Sequence, residues 1–230
     1  MTVLPHKEVL RAMNTSWLRR SVWLWVLALI AAGCRGAALM PPTAVPTAPP
    51  GPQAVPAGAT TIKQLRADLD GDGSVEEVTV YQEGQQLSLA IEPSAGKGLP
   101  WRTALPAGAS FISLDAQDID ADRRPEVLVE TSGPEANTYN LSVARWSAGK
   151  GQLLVPEGGP SAGNACFRSL YYRPLIDDLN GDISKEIVLE VDKGDPHFLN
   201  TVVYEWGGKG YVFTDLYLMP PRVIPTPTPS

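Results

Sequence analysis

Three stretches decide the fold: DLDGDGSVEEVTV over residues 68–80, DIDADRRPEVLVE over 118–130 and DLNGDISKEIVLE over 178–190. The first residues are 50 and then 60 positions apart. A second element keeps step with them. Ser94-Ala95-Gly96-Lys97-Gly98 recurs as Ser147-Ala148-Gly149-Lys150-Gly151, and Gly207-Gly208-Lys209-Gly210 follows the third stretch. Two unlike elements held in phase three times mark an internal repeat.

The residues between these elements read as β-strand. Val78 and Val80 alternate with Glu77 and Thr79, and Leu87, Leu89 and Ile91 with Ser88, Ala90 and Glu92. Val127 and Val129, Tyr139, Leu141 and Val143, and Ile187, Leu189 and Val191 continue the pattern. Period two with β-branched and aromatic residues indicates half-buried strands. The Gly-Lys-Gly elements fall between strands, where glycine supplies the positive φ of a tight hairpin. Each unit is therefore expected to run strand, acidic loop, strand, turn, strand, Gly-Lys-Gly turn, strand. This is a four-stranded antiparallel meander of about 50 residues, the size of a propeller blade. The body is expected to be all-β, with no helix after Cys34.

Each acidic loop reads Asp-x-(Asp/Asn)-x-Asp-x-x-x-Glu. Loop one offers Asp68, Asp70, Asp72 and Glu76; loop two Asp118, Asp120, Asp122 and Glu126; loop three Asp178, Asn180, Asp182 and Glu186. Hard oxygen ligands at positions 1, 3, 5 and 9 suit Ca²⁺, and position 7 (Ser74, Arg124 or Ser184) can add its backbone carbonyl. An EF-hand needs a carboxylate at position 12. Here that position is Thr79, Val129 or Leu189, inside a strand. Mg²⁺ fits less well because it keeps several waters. Loop two lacks both glycines, with Ala121 and Arg123, and Pro125 precedes its Glu; loop three has Ile183 where loop one has Gly73. Calcium affinity is expected to fall in the order first, third, second. The alternative is that these are plain acidic turns, held by Asx-type hydrogen bonds.

These loops and the strands around them, over residues 62 to about 219, resemble the FG-GAP/VCBS repeats of the integrin-alpha-type β-propeller. The resemblance implies blades whose loop between the first and second strands binds calcium. Three blades are too few for an ordinary closed propeller, so an open, partial or atypical one is expected.

The N-terminal quarter has a different character. Val22 to Gly33 is an unbroken apolar or small run, VWLWVLALIAAG, behind Arg19 and Arg20. It is shorter than the roughly 20 residues of a spanning helix and fits the apolar region of a secretory signal. A start at Met13 gives a more compact signal than Met1. The run closes on Ala31-Ala32-Gly33-Cys34, which resembles the lipobox of bacterial lipoproteins. That resemblance implies cleavage before Cys34 and its lipidation, hence a membrane anchor. Residues 34–60 are rich in Pro, Thr and Ala and read as an extended polyproline tether. The expected organisation is signal 1–33, tether 34–60, three-repeat β domain 61–220 and Pro-rich tail 221–230.

Charge narrows the function. The net charge is −6, and residues 1–33 carry Lys7, Arg11, Arg19 and Arg20 against Glu8, so the remainder stands at −9. Phosphate binding needs clustered cations, so nucleic acid is not an expected partner. His6 and His197 are the two histidines, and Cys34 and Cys166 the two cysteines; multi-histidine metal sites and a disulfide framework are both excluded. Gly159-Pro160-Ser161-Ala162-Gly163 matches G-x-S-x-G, yet it lies in a Gly/Pro loop without the strand and helix of a nucleophile elbow. His197 is expected in a solvated turn, Cys166 as a buried apolar thiol, and Trp146 and Trp206 as blade packing. The leading expectation is an exported, lipid-anchored, calcium-binding module with a binding or scaffolding role toward a protein or glycan. The alternatives are a glycan-directed envelope hydrolase using two carboxylates and a purely structural envelope protein.

Overall fold

The structure is a computed structural model. It describes residues 53–94, 96–192, 198–214 and 222–223. The signal run, Cys34, His6 and His197 lie outside the described residues.

The repeats fold into three antiparallel sheets, and no described residue is helical. The first sheet is the meander β1 (Thr60–Ala67), β2 (Glu76–Glu83), β3 (Gln86–Glu92) and β4 (Trp101–Ala104). The second is β5 (Ser110–Gln117), β6 (Glu126–Ser132), β7 (Thr138–Ser147) and β8 (Lys150–Leu154), with β9 (Phe167–Leu170) added. The third is β10 (Leu175–Asp177), β11 (Glu186–Asp192), β12 (Phe198–Trp206) and β13 (Tyr211–Phe213), with β14 (Arg222–Val223) added. Each acidic loop joins the first strand of its sheet to the second, and each position-9 Glu opens that second strand. The repeat extends to an irregularity: β1 shifts register between Thr61 and Lys63, and β5 between Phe111 and Ser113. The bulged residues, Ile62 and Ile112, stand at the same distance before the first Asp.

Two strands exceed the expected meander. β9 pairs with the start of β7 while β8 pairs with its end, so both share one edge of a long strand. β14 pairs Phe198 and Leu199 of β12 in the corresponding place. β9 belongs to the longer connection between the second and third units, which accounts for the wider spacing there.

The middle sheet is apolar on both faces, and strand alternation divides its side chains between two cores. Val127, Val129, Ala144 and Trp146 join Val78, Val80, Leu87, Leu89 and Ile91 of the first sheet. Leu128, Leu141, Val143 and Phe167 join Ile187, Leu189, Val191, Val202 and Tyr204 of the third. Phe167 meets Tyr204 edge to face, with centroids 5.3 Å apart, a favoured aromatic geometry. The other face of the first sheet presents Tyr81 and Ala90, which pack with Ala54, Val55 and Ala59. The last residues of the tether are thus part of the packed domain. The two cores stack the three sheets face to face, and no closed propeller is formed by the described residues.

The Gly-Lys-Gly elements do form the hairpins between third and fourth strands. The glycine before the lysine has φ of 80°, 71° and 85° at Gly96, Gly149 and Gly208. The glycine after it serves differently at Gly151: a Cβ there would stand 2.1 Å from the Trp101 ring, so it admits β4 of one sheet against β8 of the next.

Candidate site in the acidic loops

All three loops adopt one backbone conformation, held by a ladder of aspartates accepting from backbone N–H groups. In loop one Asp68 accepts from Gly71 (2.8 Å) and Gly73 (2.9 Å), Asp70 from Asp72 (3.3 Å) and Asp72 from Ser74 (2.7 Å). In loop two Asp118 accepts from Arg123, Asp120 from Asp122 and Asp122 from Arg124. In loop three Asp178 accepts from Gly181 and Ile183, Asn180 from Asp182, and Asp182 from Ser184. Positions 4 and 6 take positive φ throughout: Gly71 73° and Gly73 82°, Ala121 64° and Arg123 70°, Gly181 81° and Ile183 82°. The missing glycines therefore do not change the loop's path. Ala121, Arg123 and Ile183 adopt left-handed conformations that cost an L-residue about 1–2 kcal/mol each, and the aspartate ladder holds them there.

The position-9 glutamates turn inward, and each is only 1% exposed. Each anchors one oxygen on the N–H of position 2: Glu76 on Leu69 (2.9 Å), Glu126 on Ile119 (3.2 Å) and Glu186 on Leu179 (2.6 Å). The repeats part company at the second oxygen. In loop two Glu126 Oε1 accepts from Arg145 Nη2 (2.9 Å) and Nε (3.0 Å), and the same guanidinium pairs with Asp120. In loop three Glu186 Oε1 accepts from the Asn180 amide (3.2 Å), which also donates to Asp182 (3.1 Å). In loop one position 3 is Asp70, which has no hydrogen to give. Carboxylate oxygens of Asp68, Asp70 and Glu76 lie within 4.8 Å of one another. Burial, followed by the charges of Asp70, Asp68 and Asp72, pushes the Glu76 carboxyl above its ordinary value, against the pull of the Leu69 N–H. Asp72 is not part of this trio. Lys97 of the Gly-Lys-Gly turn binds it at 2.7 Å and, with the Ser74 N–H, holds its carboxyl at about 2.

The donor sets thus fit a cation to different degrees. Loop one gathers three carboxylates; the second oxygen of Glu76 has no described hydrogen-bond donor, and Lys97, bonded to Asp72, reaches Asp70 and Glu76 by its charge alone. Loop two has a comparable trio, Asp118, Asp120 and Asp122, with Asp118 Oδ1 buried and unpaired, but a guanidinium already sits on Asp120. Loop three is the most open, with Asp178 and Asn180 exposed and an amide N–H turned toward its Glu. Ser74, Arg124 and Ser184 sit where position 7 was expected, with the N–H of each engaged by the position-5 Asp.

Arg145, Lys97 and the Asn180 amide are the parts that motif reading does not supply. The signal for Arg145 is cross-strand register: β6 pairs Val127 with Ala144, which places Arg145 opposite Glu126. The matching positions are Pro93 and Glu205, opposite Glu76 and Glu186 by the same count.

Elsewhere, Ser161 is 1% exposed, and its Oγ accepts from the Arg168 N–H (3.2 Å) while its own N–H donates to the Tyr204 hydroxyl. The Ser161 hydroxyl thus bonds its own loop to β9. Cys166 is a buried free thiol. Trp146 is fully buried, and Trp206 packs partly exposed against Tyr211. Comparisons with protein-family models, with curated proteins and with solved structures find no match.

Proposed function

We propose that this chain is an exported, lipid-anchored β-repeat module that binds calcium in loop one and serves a binding or scaffolding role at the cell envelope. The observation that carries the metal reading is Glu76. Glu76 is buried beside Asp68 and Asp70, its second oxygen has no described hydrogen-bond donor, and Lys97, which reaches it by charge, is bonded to Asp72, so the trio favours an added cation. Loops two and three meet the same need with Arg145 and Asn180. All-oxygen, acid-rich coordination favours a hard cation, and Ca²⁺ suits it over Mg²⁺, which keeps several waters. A bound ion would rest on Asp68, Asp70 and Glu76 and would tie the end of β1 to the start of β2. The run before Cys34 and the polyproline tether support export and anchoring, and three packed sheets support a rigid display platform.

Thermal unfolding of the full chain with millimolar Ca²⁺ or with chelator tests the metal. Ligand that binds only the folded state stabilises by RT ln(1 + [Ca]/Kd), about 1.4 kcal/mol at ten times Kd, which is a few degrees for a domain of this size. Asp70→Ala should abolish the shift. Identical curves for the parent chain in both conditions reject calcium binding. The anchor is tested by Cys34→Ser, which should release the chain from the membrane fraction.

A further inference from the structure

Arg145 stands at the junction of two sheets. Its guanidinium bonds Asp120 and Glu126, whose side chains are 2% and 1% exposed, while its own is 22% exposed. Its carbon Cζ lies 4.6 Å from the centroid of the Trp206 ring, at the end of β12 in the third sheet. A planar guanidinium suits this position, because it can offer two N–H groups to carboxylates while its face rests on an indole. Both carboxylates it binds occupy ligand positions, 3 and 9, of loop two. The register positions that match it in the other units are Pro93 and Glu205, neither of which carries a positive charge.

We propose that Arg145 is the resident cation of loop two: its guanidinium takes the place that a divalent ion takes in loop one, makes this loop metal-independent, and links it to the third sheet through Trp206. The proposal rests on the calcium reading of loop one for its comparison, but the hold of Arg145 on loop two stands without it. Removing one partner of a buried ion pair leaves the other charge uncompensated, which is strongly destabilising. Asp120 and Glu126 then form, with Asp118 and Asp122, an acidic site open to an added cation. Asp118 Oδ1 and Asp122, which Arg145 does not touch, are where an ion could compete with it, so Asp122 is the residue to test.

The experiment uses the full chain, with calcium titrated calorimetrically and melting followed in chelator and in calcium. Asp122→Asn should bind as many calcium ions as the parent, whereas Asp70→Asn should bind one fewer. Arg145→Met should melt several degrees below the parent in chelator, bind one ion more, and regain its midpoint with millimolar calcium. If Arg145→Met does not fold, Arg145→Lys, which keeps the charge and loses the fork, should likewise melt below the parent in chelator. Loss of one calcium ion in Asp122→Asn overturns the proposal, and so does a parental midpoint in chelator for the Arg145 variants. A parent that binds no calcium at all rejects the reading of loop one, and the chelator measurements still decide whether Arg145 holds loop two.

Discussion

The hydroxyl of Tyr211 donates to the carbonyl of Ile119 at 2.9 Å, joining residues 92 positions apart. Tyr211 begins the last strand of the third sheet's meander, and Ile119 is position 2 of loop two, whose N–H holds Glu126. The same carbonyl accepts from the Lys185 N–H at 2.8 Å. Loop two is thus fixed to the third sheet at its backbone as well as through Arg145.

Tyr211→Phe tests the weight of that bond. The Ile119 carbonyl keeps the Lys185 N–H, so no buried acceptor is orphaned and the loss should stay near the low end for a hydrogen bond, about 0.5–1 kcal/mol. Tyr211→Ala also empties space beside Phe167, whose centroid is 5.9 Å away, and should cost about 3–5 kcal/mol. Denaturant unfolding of the two variants measures both. Equal losses would show that the hydroxyl carries the whole effect and that the packing of the ring against Phe167 adds nothing.

The meanders were legible because each depends on local pattern. The acidic motif marks the turn out of the first strand, alternation marks strands such as Val78–Val80 and Ile187–Val191, and Gly-Lys-Gly marks the final hairpin. The pairing of β9 was not legible: Phe-Arg-Ser-Leu is four residues long and takes an unoccupied edge of β7. Arg145 was hidden for a related reason. It lies 25 residues from Asp120 and 19 from Glu126, and only the β6–β7 register brings it opposite. Ala121, Arg123 and Ile183 stand where loop one has glycine, and the motif alone does not reveal that backbone N–H groups donating to the aspartates keep the same path.

Ile183 offers a stabilising substitution. It is β-branched, has φ of 82° and is 75% exposed, so its side chain contributes little packing to set against the strain. Gly73 has the same φ in loop one. Relief of about 1–2 kcal/mol against the extra chain entropy of glycine, about 0.5–1 kcal/mol, predicts that Ile183→Gly raises stability by about 0.5–1 kcal/mol. A lower denaturation midpoint in urea would show that Ile183 makes an interaction outweighing its strain.

High pH should unfold the domain through Cys166 and Tyr211. Burial raises the Cys166 thiol, against a smaller opposing pull from Arg168, and burial followed by the charges of Glu126 and Asp120 raises the Tyr211 phenol. Both groups are held neutral in the fold. Their contribution to stability is whole below the unfolded values, 9.0 for the thiol and 10.0 for the phenol, and is lost as pH rises through the folded ones. Stability should fall above about pH 9, and Cys166→Ala should remove the thiol's share of that slope. Alkylation followed by peptide mapping should leave Cys166 unmodified in native protein at pH 8 and label it in denaturant.

Glu76→Gln should reverse its effect according to whether calcium is present. Without metal, the parent holds a buried carboxylate against Asp68 and Asp70, and its raised pKa fixes the sign of the pH dependence. The stabilising share of Glu76 is present below its ordinary value of 4.5 and is lost as pH rises through the higher folded value. The amide removes that penalty. Its oxygen can still accept from the Leu69 N–H, and its nitrogen can donate to Asp70, the same kind of contact that Asn180 makes with Glu186 in loop three. In chelator at neutral pH the variant should therefore melt above the parent. Calcium inverts the order, because the metal gains from the full negative charge and the amide gives up one anionic ligand. In millimolar calcium the parent should rise by the few degrees expected for one occupied site, while the variant moves little and melts below it. The two melting curves should cross as calcium is titrated. If Glu76→Gln is less stable than the parent in chelator as well as in calcium, the carboxylate is not repelled by Asp68 and Asp70, and the electrostatic case for a cation in loop one fails.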